Sequence, residues 1–405
     1  MTVAAVSPAP DGPVKVRVSR DSFLLAAALF LVIATTNILT PLLPDIRADF
    51  GVSIATAGFI VGAYGLARLI VDLPAGFIAD RVGHRRMSLF GLGLLLLASL
   101  VGLNADSVVV LIVSRAASGV AVGIIATIIL TALSSTATAT NRGKVMSLFH
   151  VANNIGIATY PLLGGVVGAL FGWRATFAVT AVLGALAGVI LLPVLRRVDP
   201  RQGTVARTSA PGRRVLFGRD RAIAIAATNV GVVANMVNRH GFRNTILPLY
   251  AATSLGLGGV SIASAIALMS VTGLLVATPG GMLGDRVGRR RIITAGLAAI
   301  AAGDLVFLFT GDYLTFLLAA GLIGFGDFFS SSQTALLSEI VPPEQRTRVL
   351  SGYRFSADLG AFVGPVALAA VMDLTNAKTA IVVAVVVLLT AALVARLGVP
   401  ARVDI

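Results

Sequence analysis

Runs of apolar residues long enough to cross a bilayer recur along this 405-residue chain. Stretches 23–40, 54–71, 108–133 and 175–195 each hold about 18 residues or more, broken by charge only at Arg68 and Arg115. At about 1.5 Å per residue, each crosses most or all of roughly 30 Å of hydrocarbon. No water is available there to satisfy the backbone, and a helix closes its hydrogen bonds within one segment. The chain is 57% hydrophobic and 12% charged, with mean hydropathy +0.93, whereas a soluble chain is about a quarter charged. The expected class is therefore an all-α integral membrane protein.

Apolar segments between charge clusters predict about twelve transmembrane helices. Their spans are 22–45, 54–79, 87–104, 108–138, 145–171, 174–195, 222–250, 258–283, 292–310, 313–341, 349–373 and 378–396. A polar, Arg-rich linker at 196–221 divides them into two six-helix bundles, 22–195 and 222–396. Short tails remain at 1–21 and 397–405. The net charge is +14, but the bases sit in loops between apolar segments and not on one face of a soluble domain. That pattern fits the positive-inside rule and argues against a nucleic-acid partner. One side receives the N-terminal bases, Arg81, Arg85, Arg86, Arg142, Lys144, the linker, Arg286, Arg289–Arg291, Arg346, Arg348 and the C-terminal tail. The other side has Arg47, Arg174 and Lys378. Both termini are thus expected in the cytoplasm of a bacterium whose inner membrane the chain spans.

The two bundles repeat one another. "PAGFIADRVGHRRM" (74–87) returns about 205 residues later as "PGGMLGDRVGRRRI" (279–292). "NRGKVMSLFHVANNIG" (141–156) returns as "QRTRVLSGYRFSADLG" (345–360). Two such halves about an axis normal to the membrane suit alternating access. A carboxylate at a helix end can bind a facing helix N-terminus or an arginine, and glycine allows a tight turn.

On these phrases the chain resembles the major facilitator superfamily over essentially its whole length. The loop phrase comprises Gly76, Asp80, Arg81, Gly83, Arg85 and Arg86, with counterparts Gly281, Asp285, Arg286, Gly288 and Arg290. The resemblance implies a cytoplasmic gate, latched by Asp80 and Asp285 in an outward-open state. If the loops only fix topology, no latch exists. "LIVSRAASGVAVG" (111–123) is similar to the family's fourth-helix phrase, which implies proton coupling or charge relay at Arg115; a structural interhelical pair is the alternative. Gly156, Pro161, Gly164 and Gly165 resemble the fifth-helix phrase of the drug:proton antiporter branch. Gly360, Gly364 and Pro365 echo it in the eleventh helix. Small residues and proline there point to hinges, or to close packing alone.

Ionisable residues inside the membrane are candidates for coupling. Arg68 and Asp72, and Arg354 and Asp358, are spaced as i, i+4 pairs and read as structural or gating pairs. Asp327, mid-way along the tenth helix, is expected to pair with Arg239 of the seventh, protonation or substrate breaking the pair. Arg243, Asn37 and Gln333 complete the candidate substrate and coupling set. Asp304 has no assigned role.

The chain has no cysteine, and His84, His150 and His240 show no metal-ligand spacing. No metal or cofactor is expected, no nucleotide-binding phrase is present, and no constellation of nucleophile and base suggests an enzyme. The resemblance implies a monomeric secondary transporter that moves a small amphipathic solute, with protons as coupling partner and export as the direction. A symporter or uniporter for an organic anion or sugar stays open, as does a membrane sensor or scaffold with a transporter fold.

Overall fold

The computed structural model describes residues 18–138, 141–198, 218–327 and 330–400. Most of the linker 196–221, most of the N-terminal tail and the end of the C-terminal tail lie outside them, as do the side chains of Arg142, Ser330 and Ser331. The described chain runs α1 (Arg20–Asn37), a 3-10 turn (Thr40–Leu42), α2 (Leu43–Phe50), α3 (Ile54–Val82), α4 (His84–Leu103), α5 (Val108–Thr136), α6 (Arg142–Phe171) and α7 (Ala175–Arg197). After the linker come α8 (Arg219–Met236), a π-helical stretch (Val237–Ile246), α9 (Leu247–Leu255), α10 (Gly259–Val287), α11 (Arg289–Val306), a 3-10 turn (Phe307–Phe309), α12 (Tyr313–Gly326), α13 (Ser330–Ile340), α14 (Pro343–Leu374) and α15 (Ala377–Gly398).

Each of the twelve expected spans overlaps one of these elements or a succession of them. Ten are helices long and apolar enough to cross a membrane among the described residues. The other two are interrupted. The seventh span is α8, the π stretch and α9 in succession, and the tenth is split into α12 and α13. The first span also runs further than expected, to Phe50, because Pro41 and Pro44 each open a new helical piece.

Burial separates two cores. One is built from residues between Leu25 and Leu195; the other takes residues from Ala224 to Val399, with Leu43 and Ala57. The halves meet along α3 with α14 and along α6 with α10. At this seam a Cβ on Gly58 would stand 2.3 Å from that of Ala369, and one on Gly62 would lie 2.8 Å from Val366 Cγ2. Gly165 likewise admits Ala263. These contacts cluster toward the arginine-poor end, where the Ile54 amide also donates to Asp373 (3.2 Å). Arg174 there binds Asp49 (2.6 Å) and stacks on Trp173.

The repeated loop phrase folds into the same turn twice. Gly83 and Gly288 both adopt φ +100°, with ψ 132° and 138°. Each ends one helix and starts the next, in a conformation that a side chain would strain.

Candidate functional site

A polar centre lies where the two interrupted spans face each other. Pro248 has no N–H to give the Asn244 carbonyl, and Gly241 packs its backbone onto Gly364 of α14. Between them the seventh span widens into the π stretch, a form frequent at functional sites. Its side chains five apart become neighbours. Arg243 Nε donates to Asn238 Oδ1 (2.9 Å), and Thr245 Oγ1 donates to the His240 carbonyl (2.9 Å). In the tenth span Gly324 and Gly326 admit the backbones of α10 and α11. α12 ends there, with Asp327 as its C-cap.

Arg243 and Asp327 form a bidentate pair, Nη1 to Oδ2 at 2.7 Å and Nη2 to Oδ1 at 3.0 Å. Two parallel charge-assisted bonds make this the strong form of the interaction. The expected Asp327–Arg239 pair is therefore corrected. Arg243, one turn further along, takes the carboxylate, while Arg239 turns into the space between the halves. Asp327 remains in electrostatic reach of Arg239, but among the described residues Arg239 forms no hydrogen bond or ion pair.

Two adjoining cavities share Asn37, Ile157, Arg239 and Asn244 in their walls. The first continues to Asn154, Asn235, Arg243 and Asp327. The second continues to Tyr64, Arg68, Arg115, His240 and Asp358. Asn244 Nδ2 donates to Asn37 Oδ1 across the two halves (3.2 Å). Arg115, only 3% exposed, reaches the second cavity but is held by protein. Its Nη1 donates to the Thr35 carbonyl (2.7 Å), and its guanidinium lies 5.0 Å from the centre of the Tyr64 ring.

Other expectations divide. Arg68 and Asp72 pair (3.4 Å). Arg354 and Asp358 form no ion pair, because Asp358 turns to the seam, toward Arg68 and Asp72 of the other half. Gln333 is corrected as well. It is 1% exposed and wedged between α8 and α14, accepting from Tyr353 (3.0 Å), and it lines neither cavity. The glycine phrases are contact points. Gly156 meets Ile33, Gly164 meets the Ile38 carbonyl, and Gly360 and Gly364 meet the end of α8 and the π stretch. Pro161 and Pro365 sit inside unbroken helices.

In the loop phrases Arg81, Arg85, Arg86 and Arg286 are exposed. Asp80 lies 3.6 Å from His84, and Arg289 bonds both Asp285 and Glu339. Gly76 and Gly281 are on the adjoining turns of α3 and α10.

Asp304 had no role assigned from sequence, and neither Asn238 nor His240 was placed in the coupling set; none of the three carries a motif. The closest signal was the polar density of "NMVNRHGFRN" in an otherwise apolar span.

The model of the Major Facilitator Superfamily matches residues 25–239 and 231–404. The cephamycin export protein of Amycolatopsis lactamdurans is 33% identical over 190 residues, which span 47% of this chain and 39% of that protein. The chloramphenicol resistance protein of Streptomyces lividans is 28% identical over 317 residues, 74% of this chain and 79% of that one. Among solved structures, a bacterial homologue of the human lysosomal transporter Spinster, inward-facing and occupied, superposes with TM-score 0.73 at 16% identity. That match covers 93% of this chain and 96% of the other.

Proposed function

The chain belongs to the major facilitator superfamily, and from that premise we propose that it exports a small amphipathic solute in exchange for protons. The bundles 22–195 and 222–396 rock against each other, exposing the central cavities first to one side and then to the other. The Arg-rich loops and both termini face the cytoplasm of a bacterial inner membrane, and the monomer is the working unit. Antibiotic export is the activity named for the cephamycin relative, and resistance to an antibiotic for the chloramphenicol one.

Arg239 is the observation that carries the reading. It stands in both cavities and forms no ion pair or hydrogen bond among the described residues, beside amides that can orient a polar solute and the Arg243–Asp327 pair. A guanidinium held by no close anion among the described residues, in a sheltered site, favours a ligand that brings a carboxylate or a dipole. The seam cluster of Arg68, Asp72 and Asp358, and the two loop phrases, act as gates around it.

Purified protein in liposomes tests this. Chloramphenicol, a neutral amphiphile, and cefoxitin, an anionic cephamycin, are followed under an imposed pH gradient together with internal pH. Solute movement opposite to protons is the expected result. Movement in the proton direction makes the protein a symporter, a reading that the same cavity arginine would serve for an organic anion.

A further inference from the structure

Behind the cavity, Asp304 of α11 is 0% exposed. One of its oxygens, Oδ2, accepts from Asn238 Nδ2, and the other, Oδ1, has no partner among the described residues. The orientation of Asn238 follows from chemistry. Its Oδ1 accepts from Arg243 Nε, which can only donate, so its amino group must face Asp304. The four side chains form one line, Asp304, Asn238, Arg243 and Asp327, holding two carboxylates and a single guanidinium. That guanidinium has already committed both Nη atoms to Asp327.

A buried charge with one amide donor is costly, and such a group takes a proton instead. The charges acting on Asp304 are Arg243 and Asp327. The helices packed on α11 bring Asp285 and Arg286 of α10, Tyr313 of α12, Glu339 of α13, and Lys378 and Arg396 of α15 only at or near their ends. Tyr250 of α9 lies beyond it, bonded to the Phe307 carbonyl (3.2 Å). Asp304 follows Arg289 by about 15 residues, or roughly 22 Å of helix. It therefore sits nearer the arginine-poor end.

The geometry points to Asp304 as the proton-binding site of this transporter, with Asn238 as a positioning residue that reports its charge to Arg243. With the proton on Asp304, Arg243 belongs to Asp327 alone and the pair stays closed. When the proton leaves to water, a second carboxylate competes for Arg243 through Asn238. Asp327 is then released toward the cavity and Arg239. The proton site thus lies outside the substrate cavity and acts on it through one arginine. This rests on the proton-coupled export reading above.

Liposomes carrying wild type and Asp304→Asn are compared for chloramphenicol counterflow and for accumulation driven by a pH gradient. The variant is expected to keep counterflow within about twofold and to lose at least nine-tenths of gradient-driven accumulation. Retained accumulation in the variant overturns the assignment while export by antiport stands. A wild type indifferent to the gradient overturns the antiport reading, and the assignment with it. Should Asp304→Asn fail to fold, Asn238→Ala leaves the carboxylate in place. The pH midpoint of its flux must then differ from that of wild type by about one unit or more, and an unmoved midpoint overturns the proposal.

Discussion

Each half of the molecule buries an arginine, and the two are held in opposite ways. Arg115, in the N-terminal half, projects from the unbroken 29-residue helix α5. It meets a backbone carbonyl and a tyrosine ring. Arg243, in the C-terminal half, projects from a widened π stretch. It meets a carboxylate at the break between two helices. A carbonyl cannot be protonated near neutral pH and an aromatic face cannot be neutralised, so Arg115 has one state. Arg243 also adjoins, through Asn238, the second buried carboxylate Asp304, and an interrupted helix can shift its side chains without breaking a regular ladder. The difference assigns permanence to the buried arginine of the first half and switching to that of the second.

Asp327→Ala should show the largest effect. It leaves Arg243 buried with no counter-charge, a defect that costs about 3–5 kcal/mol in comparable pairs. Thermal unfolding in detergent should fall sharply, and gradient-driven transport should drop to background. Adding Arg243→Met removes the orphaned charge and should restore most of the stability but none of the transport. If the double variant transports, the switch is elsewhere and the contrast between the halves is lost.

The seam between the halves gives the next effect. Gly62 leaves no room for a side chain against Val366 and Phe362, so Gly62→Leu should wedge the arginine-poor end open. The chain has no cysteine, which allows spin labels at chosen pairs of introduced cysteines. The inter-half distance at that end should lengthen by several ångströms, and transport should fall about tenfold or more, as overpacking a tight contact predicts. An unchanged distance would show that this contact does not hold the closed end.

How far the sequence reached can be judged from these same residues. Hydropathy found all twelve spans because lipid forces each backbone to satisfy itself. The phrase written twice folded into two turns of the same dihedral angles, since the glycine and its neighbours act locally. The breaks in the seventh and tenth spans were not legible. They depend on Gly241 against Gly364, and on Gly324 and Gly326 against α10 and α11, contacts between residues far apart in the chain. The choice of Arg243 over Arg239 is a matter of one helical turn, and the π stretch decides it. Asp304 and Asn238 are 66 residues apart, and nothing local marks them as partners. Gln333 read as a cavity residue because it lies close to Asp327 in sequence, but it packs against Gly231 of α8 and Tyr353 of α14.

Arg115→Met tests the other side of the comparison, with a smaller effect. Methionine matches much of the arginine stem and removes the need to satisfy a buried charge. Apolar replacement of buried ionic groups is often near neutral, so stability should stay within about 1 kcal/mol of the parent. Gradient-driven transport should keep its dependence on pH, with the rate reduced about threefold or less as the end of α1 loses a donor to the Thr35 carbonyl. A complete loss of the pH response in Arg115→Met, with counterflow intact, would place coupling in the N-terminal half.

The smallest expected effect separates the two loop phrases. Where the second has Arg289, bonded to Asp285 and Glu339, the first has His84 beside Asp80 at 3.6 Å. Arginine is charged at every working pH, while histidine carries charge only when protonated. The Arg289 contact is therefore permanent, and the His84 contact weakens as pH rises. His84→Arg should make the two alike. At low pH, where an imidazole is protonated, the variant and parent should transport at equal rates. At high pH only the variant keeps a charge at position 84, so any difference should appear there and remain within about threefold, the scale of a partly exposed ion pair. A difference largest at low pH would contradict this assignment and mark His84 as a packing residue, since only 6% of its surface is exposed and the longer side chain would be felt at every pH.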